Sequence, residues 1–259
     1  MVRFKGIKTM LGQLKYKWIV FVFLLPLLSF ANKENIQNKN SPEHHILKRQ
    51  IGLATSNALK KKYLTMQFTQ EFYSFLRKKS FLSEGILKLS PPNLFHWEIV
   101  KPRSEIYVSN GKDFWKYIPS LKHAQHLNAQ SNELNFIQIL SDFNSIFKHY
   151  HVTLWTDAEA KSLRQPKNLA PVESEYPPEK QEKEKLYLKL NPLGDKHQKV
   201  LYAILDVKSG LINELRAVQL NGNRTRILFT YKDDKTIPLS EFNFVPPKGI
   251  AVDTMPLGD

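Results

Sequence analysis

The stretch EGILKLSPPNLFHWEIVKPRSEIYVSNGKDFWKY, residues 84–117, reads as a run of consecutive antiparallel strands. Apolar and polar residues alternate in short runs, and turn-forming residues close each run. Counting by twos places Phe95, Trp97 and Ile99 on one strand face and Leu94, His96, Glu98 and Val100 on the other. The first face is wholly apolar and bulky. Asn110-Gly111 joins EIYVS (105–109) to KDFWKYI (112–118). That dipeptide is a strong hairpin signal, because both central residues of a type I′ turn need positive φ. Working outward, Leu64, Met66 and Phe68 alternate with Thr65, Gln67 and Thr69. The pattern predicts strands at 63–74, 83–90, 94–100, 105–109 and 112–118.

Upstream, Ser41-Pro42-Glu43 is a helix start, with Ser41 as N-cap and Pro42 at the first helical position. Ile46, Leu47, Ile51, Leu53, Ala54 and Ala58 give a helical stripe that ends at Lys60-Lys61-Lys62. Downstream, residues 131–148 predict a helix, or two short ones. Leu134, Phe136, Ile137, Ile139, Leu140, Phe143, Ile146 and Phe147 cover more than one narrow face. Such a surface belongs either to a buried core helix or to a cover over a greasy cavity. Residues 157–185 carry four prolines and many charges, the composition of a long solvated loop. Strands resume at 186–190, 199–207, 211–220 and 224–231, and the chain closes with EFNFVPPKGIAVD (241–253). About ten strands and two helical segments, without a parallel βαβ pattern, give an α+β class.

The chain has 259 residues, a formal net charge of +14 and no cysteine. Disulfides, thiolate metal sites and cysteine nucleophiles are thereby excluded. Five basic residues and no acid precede the apolar run Trp18–Leu28, and Ser29-Phe30-Ala31 follows. Residues 1–31 therefore read as a secretory signal peptide, since the run falls short of the ~20 residues of a membrane span. A cut after Ala31 leaves 228 residues at +9. Residues 32–41 read as a flexible lead-in, and 42–259 as one domain. Export without cysteine fits a bacterial periplasm. The basic balance suits anionic lipid, acidic protein or nucleic acid. Export and the lack of any nucleic-acid-binding signature argue against the last.

His123-x-x-His126 and His149-x-His151 are weak metal signals, because no acid cluster accompanies them. His44-His45 reads as surface. No nucleophile elbow, phosphate loop or metalloprotease motif is present. Asp233-Asp234 and Glu182/Glu184 read as solvated charge runs. With no nucleophile, metal or cofactor signature, a binding module is favoured over an enzyme.

Residues 84–117 also resemble the LolA family of periplasmic outer-membrane lipoprotein carriers. The likeness rests on Pro92, Phe95 and Trp97 as Pro-x-x-Phe-x-Trp, then Pro102, Ile106-Tyr107-Val108, Asn110-Gly111-Lys112 and Trp115-x-Tyr117. FTQEF (68–72) and FNFVPPKGIAVD (242–253) are similar to two further family segments and keep their order. The resemblance implies a strongly curved antiparallel sheet, an incomplete β-barrel, with helices lidding its concave face. It implies a monomeric shuttle whose cavity takes the acyl chains of a lipoprotein. Cargo would arrive from an inner-membrane ABC-type release complex and leave to an outer-membrane acceptor. The family's basic residue before that first proline, which bonds the lid, is Pro91 here; Lys88 and Arg103 are candidate substitutes.

From this resemblance and shared parity, the cavity wall is expected to comprise Phe68, Phe95, Trp97, Ile99, Ile106, Val108, Trp115 and Tyr117. Leu134, Ile137 and Leu140 are expected on the lid. A lipid-binding or lipoprotein-sensing scaffold of the same shape is the alternative, and a hydrolase or metal protein built on the histidine pairs is a third.

Overall fold

The computed structural model describes residues 42–127, 139–140, 143–155, 184–193 and 200–254. These fall within one compact unit, Gln37–Asp259; Met1–Ile36 form the other unit, outside the described residues. The expected signal peptide, lead-in and Ser41 cap, and residues 157–183 of the long loop, also lie outside them.

Strands β1 (Leu64–Ser74), β2 (Lys79–Ser90), β3 (Leu94–Lys101), β4 (Glu105–Asn110), β5 (Phe114–Ile118) and β6 (His123–Leu127) follow one another, each antiparallel to the next. A second antiparallel series comprises β7 (Tyr150–Leu154), β8 (Lys185–Pro192), β9 (Val200–Asp206), β10 (Ile212–Val218) and β11 (Arg224–Asp233). Pairing of β1 with β11 joins the two series. The last strand, β12 (Ala251–Thr254), runs parallel to β6. The result is one sheet in the order β12-β6-β5-β4-β3-β2-β1-β11-β10-β9-β8-β7, whose end strands β12 and β7 do not pair. The sheet is thus open and mostly antiparallel.

The sequence pattern missed β6, β7 and β12. It also predicted a two-residue turn after β4, where the structure has Gly111 to Asp113. Gly111 has a φ of +87°, but Asn110 stays in strand conformation. The Asn110 side chain explains the longer turn: its Oδ1 accepts from the Lys112 amide at 3.0 Å and the Asp113 amide at 2.8 Å.

Helix α1 (Pro42–Leu59) buries Leu47, Ile51, Ala54 and Ala58, which share one face at helical spacing. Ile46 and Leu53, expected in the same stripe, are exposed. Leu47, Ile51 and Ala54 belong to one buried cluster with Met66, Phe68, Leu87, Phe95, Trp97 and Leu215 from the sheet. The helix comes so close to the β9–β10 turn that a Cβ on Gly210 would lie 2.3 Å from the Ala54 carbonyl oxygen. Gly210 also has a φ of +72°, so only glycine suits both constraints. We call the sheet face carrying Trp97 the front.

The back is apolar too. Behind β2 to β5 a C-terminal strap, residues 237–250, crosses the sheet before β12. Its Ile237 and Phe242 are buried with Tyr63, and Leu94 packs against them. Lys88 pairs with Glu241 at 2.8 Å, and His96 Nδ1 bonds the Glu241 carbonyl at 2.9 Å. The Lys88 ammonium holds the Glu241 carboxyl below its usual range. Behind β8 to β10, Trp155, Tyr187, Tyr202 and Ile204 form a second buried cluster. Beside it the buried Glu214 bonds Arg216 Nε, and Arg226 through Nε at 2.8 Å and Nη2 at 3.0 Å.

Candidate functional site

Period-two geometry and strand register together assign every expected wall residue to a face. Phe68 pairs with Gly85, Gly85 with Ile99, and Leu87 with Trp97, so Phe68, Trp97 and Ile99 share the front. Phe95 lies two residues before Trp97 and joins them. The Phe68 and Trp97 rings are 4.1 Å apart with a 32° tilt. Trp97 also meets Phe229 edge-on at 6.2 Å, and Phe95 meets Phe114 at 5.5 Å. Gly85 makes the stack possible, since a Cβ there would sit 2.4 Å from the tip of the Phe68 ring. Phe68, Phe95 and Trp97 are buried, and Ile99 packs against them half-exposed.

Ile106, Val108, Trp115 and Tyr117 lie on the back, which corrects the expectation of one shared face. Trp97 pairs with Tyr107 and Phe95 with Ser109, while Val108 pairs with His96 and Ile106 with Glu98. Across the next turn Trp115 pairs with Val108 and Tyr117 with Ile106. What they meet is the strap: Phe244 packs 5.7 Å from Trp115 and 5.2 Å from Tyr117. Asn110 Nδ2 donates to Asn243 Oδ1 at 3.2 Å beside them. A covered back face needs apolar side chains as much as the front does, and this is why parity alone misled.

Of the expected lid residues, Leu134 and Ile137 lie outside the described residues. Leu140 is half-buried against the front cluster, near the buried Ile139, Phe143 and Ile146. Phe143–Ser145 is a 3-10 turn, followed by a helical turn at Ile146–His149. Leu140 and Phe143 line a cavity of about 30 Å³ with Thr55, Met66, Pro91 and Leu211. That is room for about one water molecule. Pro91, where the resemblance leads one to expect a basic residue, therefore faces mainly apolar groups. Lys88 is on the back, tied to Glu241, and Arg103 is exposed, so neither takes over that place.

A second cavity of about 210 Å³ is lined by His44, His45, Lys48, Phe147, Tyr150 and His151. His44 stacks parallel to His151 at 6.3 Å, so the pair expected at the surface is partly built into a cavity. Burial pushes the Tyr150 phenol above its usual pKa. His123 Nε2 bonds Asp253 at 2.8 Å, while His126 bonds Asp113 at 3.1 Å and stacks on Trp115. Among the described residues, no three histidine or acidic side chains converge on a metal-sized site. No described helix is long and apolar enough to cross a membrane.

The fold and front face define a class: an open antiparallel sheet presenting a continuous aromatic and aliphatic surface to helical elements. Residues 60–171 match the model of the family described as outer membrane lipoprotein carrier protein LolA. Over that segment, less than half of its length, the chain is similar to the LolA family. It is 27% identical over 172 residues to an outer-membrane lipoprotein carrier protein of Erwinia tasmaniensis, covering 66% of this chain and 70% of that one. A protein of the same description from Edwardsiella ictaluri is 26% identical over the same shares. Among solved structures, a LolA superfamily protein from Nitrosomonas europaea aligns with a TM-score of 0.41 at 10% identity, over 76% of this chain and 97% of that one.

Proposed function

We propose that this protein carries acylated lipoproteins through the periplasm, with their acyl chains held between the front of the sheet and the helical elements that pack on it. The observation that carries this reading is the front itself. Phe68, Phe95, Trp97 and Ile99 form one apolar wall, with Leu140 and helix α1 packed against it. Each buried methylene contributes ~0.8 kcal/mol, so an acyl chain is retained in such a place and excluded from water.

A space of about 30 Å³ does not hold an acyl chain. In this reading, loading separates the described helical elements from this part of the sheet. The contacts around Pro91 and Leu140 are apolar and undirected, which lets open and closed arrangements lie close in energy. Release then needs only an acceptor with greater affinity. In this reading the helices are the lid and the sheet is the incomplete barrel. The protein is a monomeric shuttle, not an enzyme. An inner-membrane ABC-type complex supplies its cargo and an outer-membrane acceptor takes it.

Native mass spectrometry of protein purified from periplasm tests the proposal. A fraction carrying one triacylated lipoprotein is the expected result. Protein that stays empty while lipoproteins are being exported overturns it.

A further inference from the structure

At the far end of the sheet from Pro91 and Gly210, two turns stand side by side. One is the β1–β2 turn at 75–78, the other the β10–β11 turn at 219–223. Pairing of Tyr73 with Arg224 brings them together, and the Phe75 amide donates to Asn223 Oδ1 at 2.9 Å. Between them they expose Leu76 (90%), Leu220 (79%) and Phe75 (51%), with Leu82 (51%) just behind. Single exposed hydrophobes need no explanation, but a group of four gathered at one tip does.

The tip is also basic. Arg77, Lys78 and Lys79 are all exposed, and neither 75–82 nor 219–224 contains an acid. Lys78 Nζ sits 3.3 Å over the Phe75 ring, while Arg77 and Lys79 flank Phe81 at 5.9 and 5.7 Å. The cations are thus held beside the apolar groups.

We propose that this double-turn tip docks on an anionic phospholipid bilayer. Leu76, Leu220 and Phe75 enter the headgroup and upper acyl region, while Arg77, Lys78 and Lys79 meet the lipid phosphates. The charge pattern selects this partner: a bilayer offers apolar depth directly beneath a layer of negative charge. Docking by the tip leaves the Pro91 end of the sheet clear of the membrane. The inference does not depend on the carrier reading, because it concerns a different end of the sheet.

The cysteine-free sequence permits a direct test on the full chain. A polarity-sensitive fluorophore is attached at Leu76→Cys, and in a second sample at Leu239→Cys on the strap. Phosphatidylglycerol-containing vesicles should blue-shift the probe at 76 and not at 239, and raised salt should reverse the shift. In the chain labelled at 76, the further replacements Arg77→Ser, Lys78→Ser and Lys79→Ser should weaken vesicle binding about a hundredfold. The proposal is overturned by no shift at 76, by equal shifts at both positions, or by equal shifts with pure phosphatidylcholine. A shift at 76 that follows protein concentration without vesicles also overturns it, in favour of self-association. The probe reports docking whether or not a lipoprotein co-purifies, so the two proposals fail separately.

Discussion

The rings of Phe68 and Trp97, on strands separated by β2, lie 4.1 Å apart. They meet because Gly85, the residue of β2 opposite Phe68, has no side chain. The stack is both packed core and the wall assigned to lipid. Trp97→Ala removes a buried indole and should cost about 3–5 kcal/mol, measured by urea unfolding. Trp97→Phe keeps an aromatic ring, so it should fold and retain cargo. If Trp97→Ala is as stable as the parent, the ring was not packed and the described contact is wrong.

The contact between Gly210 and Ala54 ties α1 to the sheet. Gly210→Ala forces a Cβ against the Ala54 carbonyl and strains a backbone at φ +72°. We expect a loss of about 1–3 kcal/mol. Hydrogen exchange should quicken in α1 before the β1–β3 strands. A variant that opens the whole sheet evenly would show that α1 is not a separable element.

Buried Glu214 between Arg216 and Arg226 predicts an acid-dependent stability. Burial alone would raise its pKa; the Arg226 hydrogen bonds and the charges of Arg216 and Arg226 outweigh it and hold the carboxyl below its usual 4.5. A depressed carboxylate pKa means that its stabilisation is complete above the unfolded value. It is lost as pH falls through the folded value. Glu214→Gln should therefore cost about 3 kcal/mol near neutral pH. That difference should shrink as the pH drops below about 4. Urea midpoints of both proteins across pH measure it, and a constant difference would contradict the assignment.

The β1–β5 run was legible because alternation and turn residues are local signals. Two of the missed strands, β6 and β12, lack such signals, whereas β7 (YHVTL) alternates but is only five residues long. HAQHL at β6 is short and largely polar, and β12 is exposed along its whole length, defined only by pairing with a residue run far away in sequence. Strand parity correctly separated Trp97 from His96, and Val108 from Tyr107. It did not say which set in β4 joins Trp97, because that depends on register across the turn. Usually polarity resolves the choice. Here Ile106 and Val108 are as apolar as Tyr107, since Phe242 and Phe244 return from the end of the chain to the back face. The family likeness agrees with the family model matched over residues 60–171, yet face assignment required the paired strands.

The two faces can be separated by experiment. Phe244→Ala removes the ring that packs on Trp115 and Tyr117 and leaves the front untouched. The strap should loosen, at a cost of about 1–3 kcal/mol for a partly exposed aromatic. Trp115 should become more accessible to iodide, read as added quenching in a chain whose Trp18 and Trp155 are replaced by phenylalanine and whose remaining Trp97 is buried. The salt bridge from Lys88 to Glu241 contributes less, ~0.2–1 kcal/mol, because both side chains are a third exposed. Lys88→Ala alone should therefore leave Trp115 shielded. Acyl-chain binding should survive Phe244→Ala and fall on Leu140→Glu, which puts a charge against the front wall. Should Phe244→Ala abolish acyl binding in a folded protein, the lipid site lies on the back and the assignment to Phe68, Phe95, Trp97 and Ile99 is reversed.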